Sequence, residues 1–201
     1  MFDQLKDAQT IEKTMAALKS NGITAYCVET GEQARAKVLE LIPAGAEVMT
    51  MTSVTLETTG LRQELNESGH YESVRNRLKS LNRETQSGEM QRSGAAPEWA
   101  VGSVHAVTED GEVLLASFTG SQLAAYAYGA QHVIWVVGTQ KIVRDRQEAL
   151  RRIYEYALPL EDNRARTAYG IGSAANKLLM ISQEVNPQRL TLIFVNEKLG
   201  F

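Results

Sequence analysis

Residues 102–143 read GSVHAVTEDGEVLLASFTGSQLAAYAYGAQHVIWVVGTQKIV, and this stretch decides the fold. Asp110-Gly111 interrupts two apolar, β-branched runs. It predicts a hairpin with strands over Val101–Glu109 and Glu112–Ser117, since Asp and Gly tolerate the positive φ of a tight turn. Thr119-Gly-Ser-Gln122 has capping-box spacing and predicts a helix over Leu123–Tyr128. Ala130–Val137 is almost wholly apolar, the pattern of a strand covered on both faces at the centre of a sheet. Hairpin, helix and buried strand in this order predict an α/β domain built on an open, mostly parallel sheet with flanking helices.

The rest of the chain fits that frame. On the amino side, Ala8, Ile11, Met15 and Leu18 recur at helical spacing and predict a helix over residues 3–19. Ile23–Val28 reads as a strand. A second capping box at Thr30–Gln33 opens a helix that Pro43 stops, and Ala46–Met51 follows as another strand. Helical pieces are predicted from near Ser53 and over 61–81, the latter divided at Gly69. Residues 82–98, NRETQSGEMQRSGAAPE, have almost nothing to bury and read as a polar, mobile loop, suited to a lid or a partner-binding segment. On the carboxyl side, Asp145-x-x-Glu148 caps a helix expected to end at Pro159, and Leu190–Glu197 reads as a last buried strand. There is no internal repeat and no second boundary, so residues 1–201 are expected to form one domain.

Composition excludes several function classes. The 201 residues are 43% apolar, enough for a single core, and carry a formal charge of −3 without any Lys/Arg cluster. That gives no footprint for nucleic acid. No apolar run approaches the ~20 residues of a membrane span. The first residues have no apolar signal core, so a cytoplasmic protein is expected. Cys27, the one cysteine, lies in an apolar run and is expected to be buried and inert; the three histidines, at 70, 105 and 132, have no ligand-like spacing. No metal site and no cofactor is expected.

The candidate chemistry lies in loops. Ligands of open α/β sheets sit beyond the carboxyl ends of strands, which draws attention to Thr52, Ser53 and Thr55 after the second strand and to Lys141 after the central one. Those hydroxyls serve equally well as helix caps. Thr119, Gly120 and Ser121 would offer hydroxyls and free backbone N–H groups to a phosphate or carboxylate, although capping alone also accounts for them. Arg164 and Arg166 beside a turn could clamp an anion, or lie on a surface helix face. In a two-residue turn Glu109 and Glu112 would face each other. Such opposed carboxylates call for a nearby cation or a raised pKa, unless they rotate into solvent.

Taken together, TSVTLETTGL at 52–61, GSVHAVTEDGEVLLAS at 102–117, TGSQ at 119–122, VIWVVGTQKIVRDRQEALRRI at 133–153, ALPLEDNRARTAYG at 157–170 and LIFVNEKLGF at 192–201 resemble the lactate-utilisation (LUD) domain family. The resemblance covers most of the chain, least at 82–98. It implies a fold like that of the sugar-phosphate isomerases and CoA-transferases. It also implies a prokaryotic, cytoplasmic protein tied to oxidation of L-lactate to pyruvate, a process whose related subunits carry iron–sulfur clusters. This chain lacks their cysteine-rich portion and so resembles the cofactor-free, LUD-only type. The expected role is an accessory, non-redox component with the iron–sulfur subunits as partners and a small anion as ligand. The alternative is a small CoA-transferase-like or phosphosugar-acting enzyme. There Glu109, in a Glu-x-Gly turn like that of CoA-transferases, would be the nucleophile, with Lys141 or Arg166 holding an anion.

Overall fold

The computed structural model describes residues 2–201. Its backbone is a six-stranded, all-parallel sheet in the order β1-β10-β7-β4-β2-β3, and beside it a four-stranded sheet in the order β8-β5-β6-β9. The large sheet takes β1 (Thr24–Val28), β2 (Glu47–Thr50), β3 (Glu72–Ser73), β4 (Trp99–Gly102), β7 (His132–Gly138) and β10 (Leu190–Val195). The small one takes β5 (Ala106–Thr108), β6 (Val113–Ser117), β8 (Ile142–Val143) and β9 (Lys177–Ile181). Helices α1 (Ala8–Ser20), α2 (Gly31–Leu41), α3 (Val54–Thr58), α4 (Leu61–Glu67), α5 (Val74–Ser80), α6 (Ser87–Ala95), α7 (Arg146–Arg151) and α8 (Leu158–Tyr169) fill the connections. The α/β class and the parallel sheet are as the sequence predicts.

Side-chain alternation explains the layering. In β7, Val133, Trp135 and Val137 join one apolar cluster with Leu18, Phe194 and the inner face of the small sheet, while Ile134 and Val136 join another with Val38, Leu56 and Leu61. A strand covered on both sides has to be continuously apolar, and Val133–Val137 is. Truncating one such residue to Ala typically costs about 2–5 kcal/mol. The outer face of the small sheet, through Ala106, Leu114, Ala116 and Val143, packs on Ala149 and Ile153.

Several elements depart from expectation. The run 101–109 is not one strand: β4 pairs with β7 in the large sheet, and after Ser103–His105 the chain continues as β5 in the small one. The hairpin turn has three residues, with Val107 opposite Val113 and Gly111 at φ 78°, so Glu109 and Glu112 do not oppose each other. Residues 82–98 contain a regular element, the exposed helix α6. The helix expected over Leu123–Tyr128 is mainly a π-helical turn at Ala125–Gly129. Pro159 does not stop the helix that Asp145 caps. A π-helical stretch, Arg152–Ala157, shifts the hydrogen-bond register so that the proline falls in the first turn of α8, where its missing N–H costs little. Cys27 is exposed, because β1 is an edge strand, and burial of part of the thiol raises its pKa. Strand β9 has an exposed apolar pattern that gave no alternation to read.

Candidate functional site

Two chain segments leave the large sheet side by side. β4 ends at Gly102 and passes through Ser103–His105 into β5; β7 ends at Gly138 and passes through a 3-10 turn, Thr139–Lys141, into β8. β5 and β8 then pair in parallel, Val107 with Ile142. The seam between the two sheets is therefore lined by both crossing segments, at the carboxyl ends of the central strands. A cleft of about 670 Å³ opens there.

Lys141 forms the base of this cleft and is only 2% exposed. Its Nζ donates to Ser103 Oγ at 3.1 Å and to the Val104 carbonyl at 3.2 Å, and lies 3.5 Å from Thr55 Oγ1. Thr55 Oγ1 in turn donates to the Leu199 carbonyl. Burial, reinforced by the positive charge of Arg152, lowers the lysine pKa to about 7. Arg152 is itself fully buried and donates to the carbonyls of His105 and Phe2. Desolvation lowers its pKa to about 10. Among the described residues no carboxylate forms an ion pair with either cation; both donate only to neutral oxygens, and the buried Arg152 Nε has no partner. His105, in the cleft wall, accepts a hydrogen bond from Ala116 N on Nδ1. Burial, then the charges of Lys141 and Arg152, push its pKa down to about 3, so it is neutral and carries its proton on Nε2.

Gly102 makes room for the last wall. A Cβ there would stand 1.8 Å from the Tyr126 hydroxyl. Tyr126 is 1% exposed, borders the cleft, and its hydroxyl has no hydrogen-bond partner among the described residues. Burial raises its pKa, so it stays a phenol.

Of the residues singled out in the sequence, Thr52, Ser53, Thr55, Thr119, Ser121, Lys141 and Arg164 line this one cleft. Ser53 sits at the start of α3 without making a side-chain cap. The Thr119–Gln122 box is not formed as a cap: Gly120 N donates to Ser117 Oγ and Ser121 N to Thr119 Oγ1, while Gly120 itself packs on Lys177 and does not line the cleft. Arg164 makes a bidentate pair with Glu161, and Arg166 is held by Asp162 outside the cleft, so the two arginines form no joint clamp. Glu109 is elsewhere. Its turn is docked on the end of α1, where Asn21 Nδ2 donates to the carbonyls of Asp110 and Gly111 and Lys13 pairs with Glu109 at 2.8 Å. Glu112 pairs with Arg146, whose guanidinium lowers its pKa. Ser103, His105, Tyr126, Arg75 and Arg152 were not anticipated. The one available signal was Gly102 within an apparent strand, a mark of a bend or of close approach by another group. Among the described residues no three His, Cys, Asp or Glu side chains converge as metal ligands.

A family profile described as the LUD domain matches residues 11–195. The chain belongs to the LUD domain family. A LUD domain thus accounts for both sheets and the cleft between them. A crystal structure of a DUF162 family protein from Deinococcus radiodurans, at 1.70 Å resolution, is similar in fold: the TM-score is 0.58 at 14% identity, over 96% of this chain and 100% of that one. No curated protein matches the sequence.

Proposed function

We propose that this LUD domain is an accessory, non-redox component of lactate utilisation, in the oxidation of L-lactate to pyruvate, and that its strand-end cleft binds a small organic acid. Family membership supports the association with lactate utilisation. The observation that carries the anion-binding reading is Lys141: a buried ammonium at the base of a cleft, beside the buried Arg152, with no carboxylate on either. Taking a charge out of water without a counter-ion is costly, and a bound carboxylate relieves that cost. The hydroxyls of Ser103 and Thr55 and the Nε2–H of His105 supply neutral hydrogen bonds around it. Iron–sulfur subunits remain the proposed partners and the cytoplasm the proposed compartment. No helix is long and apolar enough to cross a membrane among the described residues.

Isothermal titration with L-lactate and pyruvate tests the reading. Binding is expected to be tighter at pH 6 than at pH 9, because the free lysine loses its proton above about pH 7, and to be lost in Lys141→Met. Failure of either acid to bind, or binding indifferent to Lys141→Met, overturns it. Glu109, the nucleophile of the CoA-transferase alternative, pairs with Lys13 and does not line the cleft.

A further inference from the structure

The cleft is much larger than a three-carbon acid. Its volume of about 670 Å³ lies within the roughly 300–1,000 Å³ typical of sites for drug-sized ligands. It also holds a second group of unneutralised cations, away from Lys141. Arg75 is half-buried in the wall. Its Nε donates to the Thr50 carbonyl at 2.9 Å and one Nη to Thr52 Oγ1 at 3.1 Å, which leaves the other Nη uncommitted. Arg83 borders the same cleft from the exposed side. Neither arginine has a carboxylate within ion-pair distance among the described residues. The two acidic residues lining the cleft are already engaged, Glu57 by Arg62 at 3.5 Å and Glu161 by Arg164 at 2.7 Å.

The two cationic ends lie on one stretch of chain. Lys141 reaches Thr55 and Arg75 reaches Thr52. These hydroxyls are three residues apart, and three residues of chain span at most about 10 Å. The ends differ in kind. At Lys141 one cation is surrounded by Ser103, Thr55 and His105, a neutral setting suited to a monoanionic carboxylate. At the other end two guanidinium groups and the Thr52 hydroxyl are suited to a dianion, and guanidinium donors match phosphate oxygens in pairs.

We infer that the cleft takes an elongated organic acid with a carboxylate at one end and a phosphate monoester at the other, the carboxylate on Lys141 and the phosphate on Arg75 and Arg83. The inference rests on the anion-binding reading above and extends it: lactate or pyruvate fills only the Lys141 end.

The test is calorimetric titration of the full chain with 6-phosphogluconate, gluconate, glucarate, inorganic phosphate and L-lactate. 6-Phosphogluconate is expected to bind at least tenfold more tightly than gluconate or glucarate. The ratio of 6-phosphogluconate to gluconate affinity should fall towards one in Arg75→Gln and drop partially in Arg83→Gln. The second variant is fully surface-placed, so it keeps the test valid if loss of the Arg75–Thr50 bond unfolds the first. Equal affinity for gluconate and 6-phosphogluconate, with lactate still bound through Lys141, sinks this inference and leaves the anion-binding reading in place. Equal affinity for glucarate and 6-phosphogluconate also sinks it, as does inorganic phosphate matching 6-phosphogluconate. If none of the five anions binds, both readings fall together.

Discussion

Two loops of this molecule carry charge into a turn, and they end in opposite circumstances. The Glu109–Gly111 turn holds the glutamate that invites catalysis by analogy, yet Glu109 is paired with Lys13, and Glu112, just after the turn, is paired with Arg146. The Thr139–Lys141 turn has one unremarkable lysine in a Gly-Thr-Gln-Lys sequence, and that lysine is buried with no counter-ion. A charge that water or a partner already satisfies has little to gain from a ligand. A charge held dry and unpaired gains a great deal. That difference is the ground for proposing Lys141, rather than Glu109, as the partner of a bound anion.

The contrast can be broken first at Lys141 itself. Lys141→Met should weaken carboxylate binding at least tenfold, measured by calorimetry. It should also change how stability depends on pH. The lysine pKa is about 7 folded against 10.5 in the unfolded chain, so below pH 7 the folded state carries the full penalty of the buried charge. That penalty is relieved as pH rises to 10.5. At about 1.4 kcal/mol per unit, the stability of the Met variant relative to the parent should be highest near pH 6 and fall by a few kcal/mol by pH 10 in denaturant titrations.

The other loop is structural, and Gly111→Ala should show it. Gly111 has φ 78° and a Cβ there would lie 2.6 Å from Leu18 N. Undocking the turn from α1 should cost about 1–3 kcal/mol, seen as a lower melting temperature without loss of anion affinity beyond that of unfolding. A subtler effect is expected at His105. Its pKa is about 3 folded against 6.5 unfolded, so the unfolded chain takes up a proton first and stability drops as pH falls from 6.5 towards 3. His105→Asn, which preserves an acceptor for Ala116 N, should flatten that acid limb. Smallest of all, Glu109→Gln should leave carboxylate affinity and melting temperature unchanged within error; a clear loss of affinity would restore that turn to the site.

What the sequence made legible follows from what local pattern encodes. Continuous apolarity at Val133–Val137 and the boxes at Thr30 and Asp145 are one-dimensional signals, and each stands where expected, with Thr30 and Asp145 accepting from Gln33 N and Glu148 N. The hydroxyl-rich segment at 52–55 and Lys141 could be placed because strand ends are generic ligand positions, and both line the cleft. The change of sheet at Ser103–His105 was hidden, since both flanking strands are apolar and only pairing partners distinguish them. So was Pro159, whose tolerance depends on a π-helical register set by packing. Arg75 and Arg152 stand in no motif or spacing that singles them out. Burial, which no spacing reports, is what sets them apart.

The two tryptophans occupy different places in the large sheet, Trp135 in the middle of β7 and Trp99 at the start of β4, and this gives the molecule an optical readout of its own. Trp135 is fully buried edge-on to Tyr126 at 5.5 Å, directly behind the cleft wall, whereas Trp99 stacks on His132 at 4.3 Å where β4 and β7 begin. Occupancy of the cleft should therefore alter the emission of the buried, blue-shifted indole. A Trp99→Phe chain would then report ligand binding in a single spectroscopic channel with no added dye.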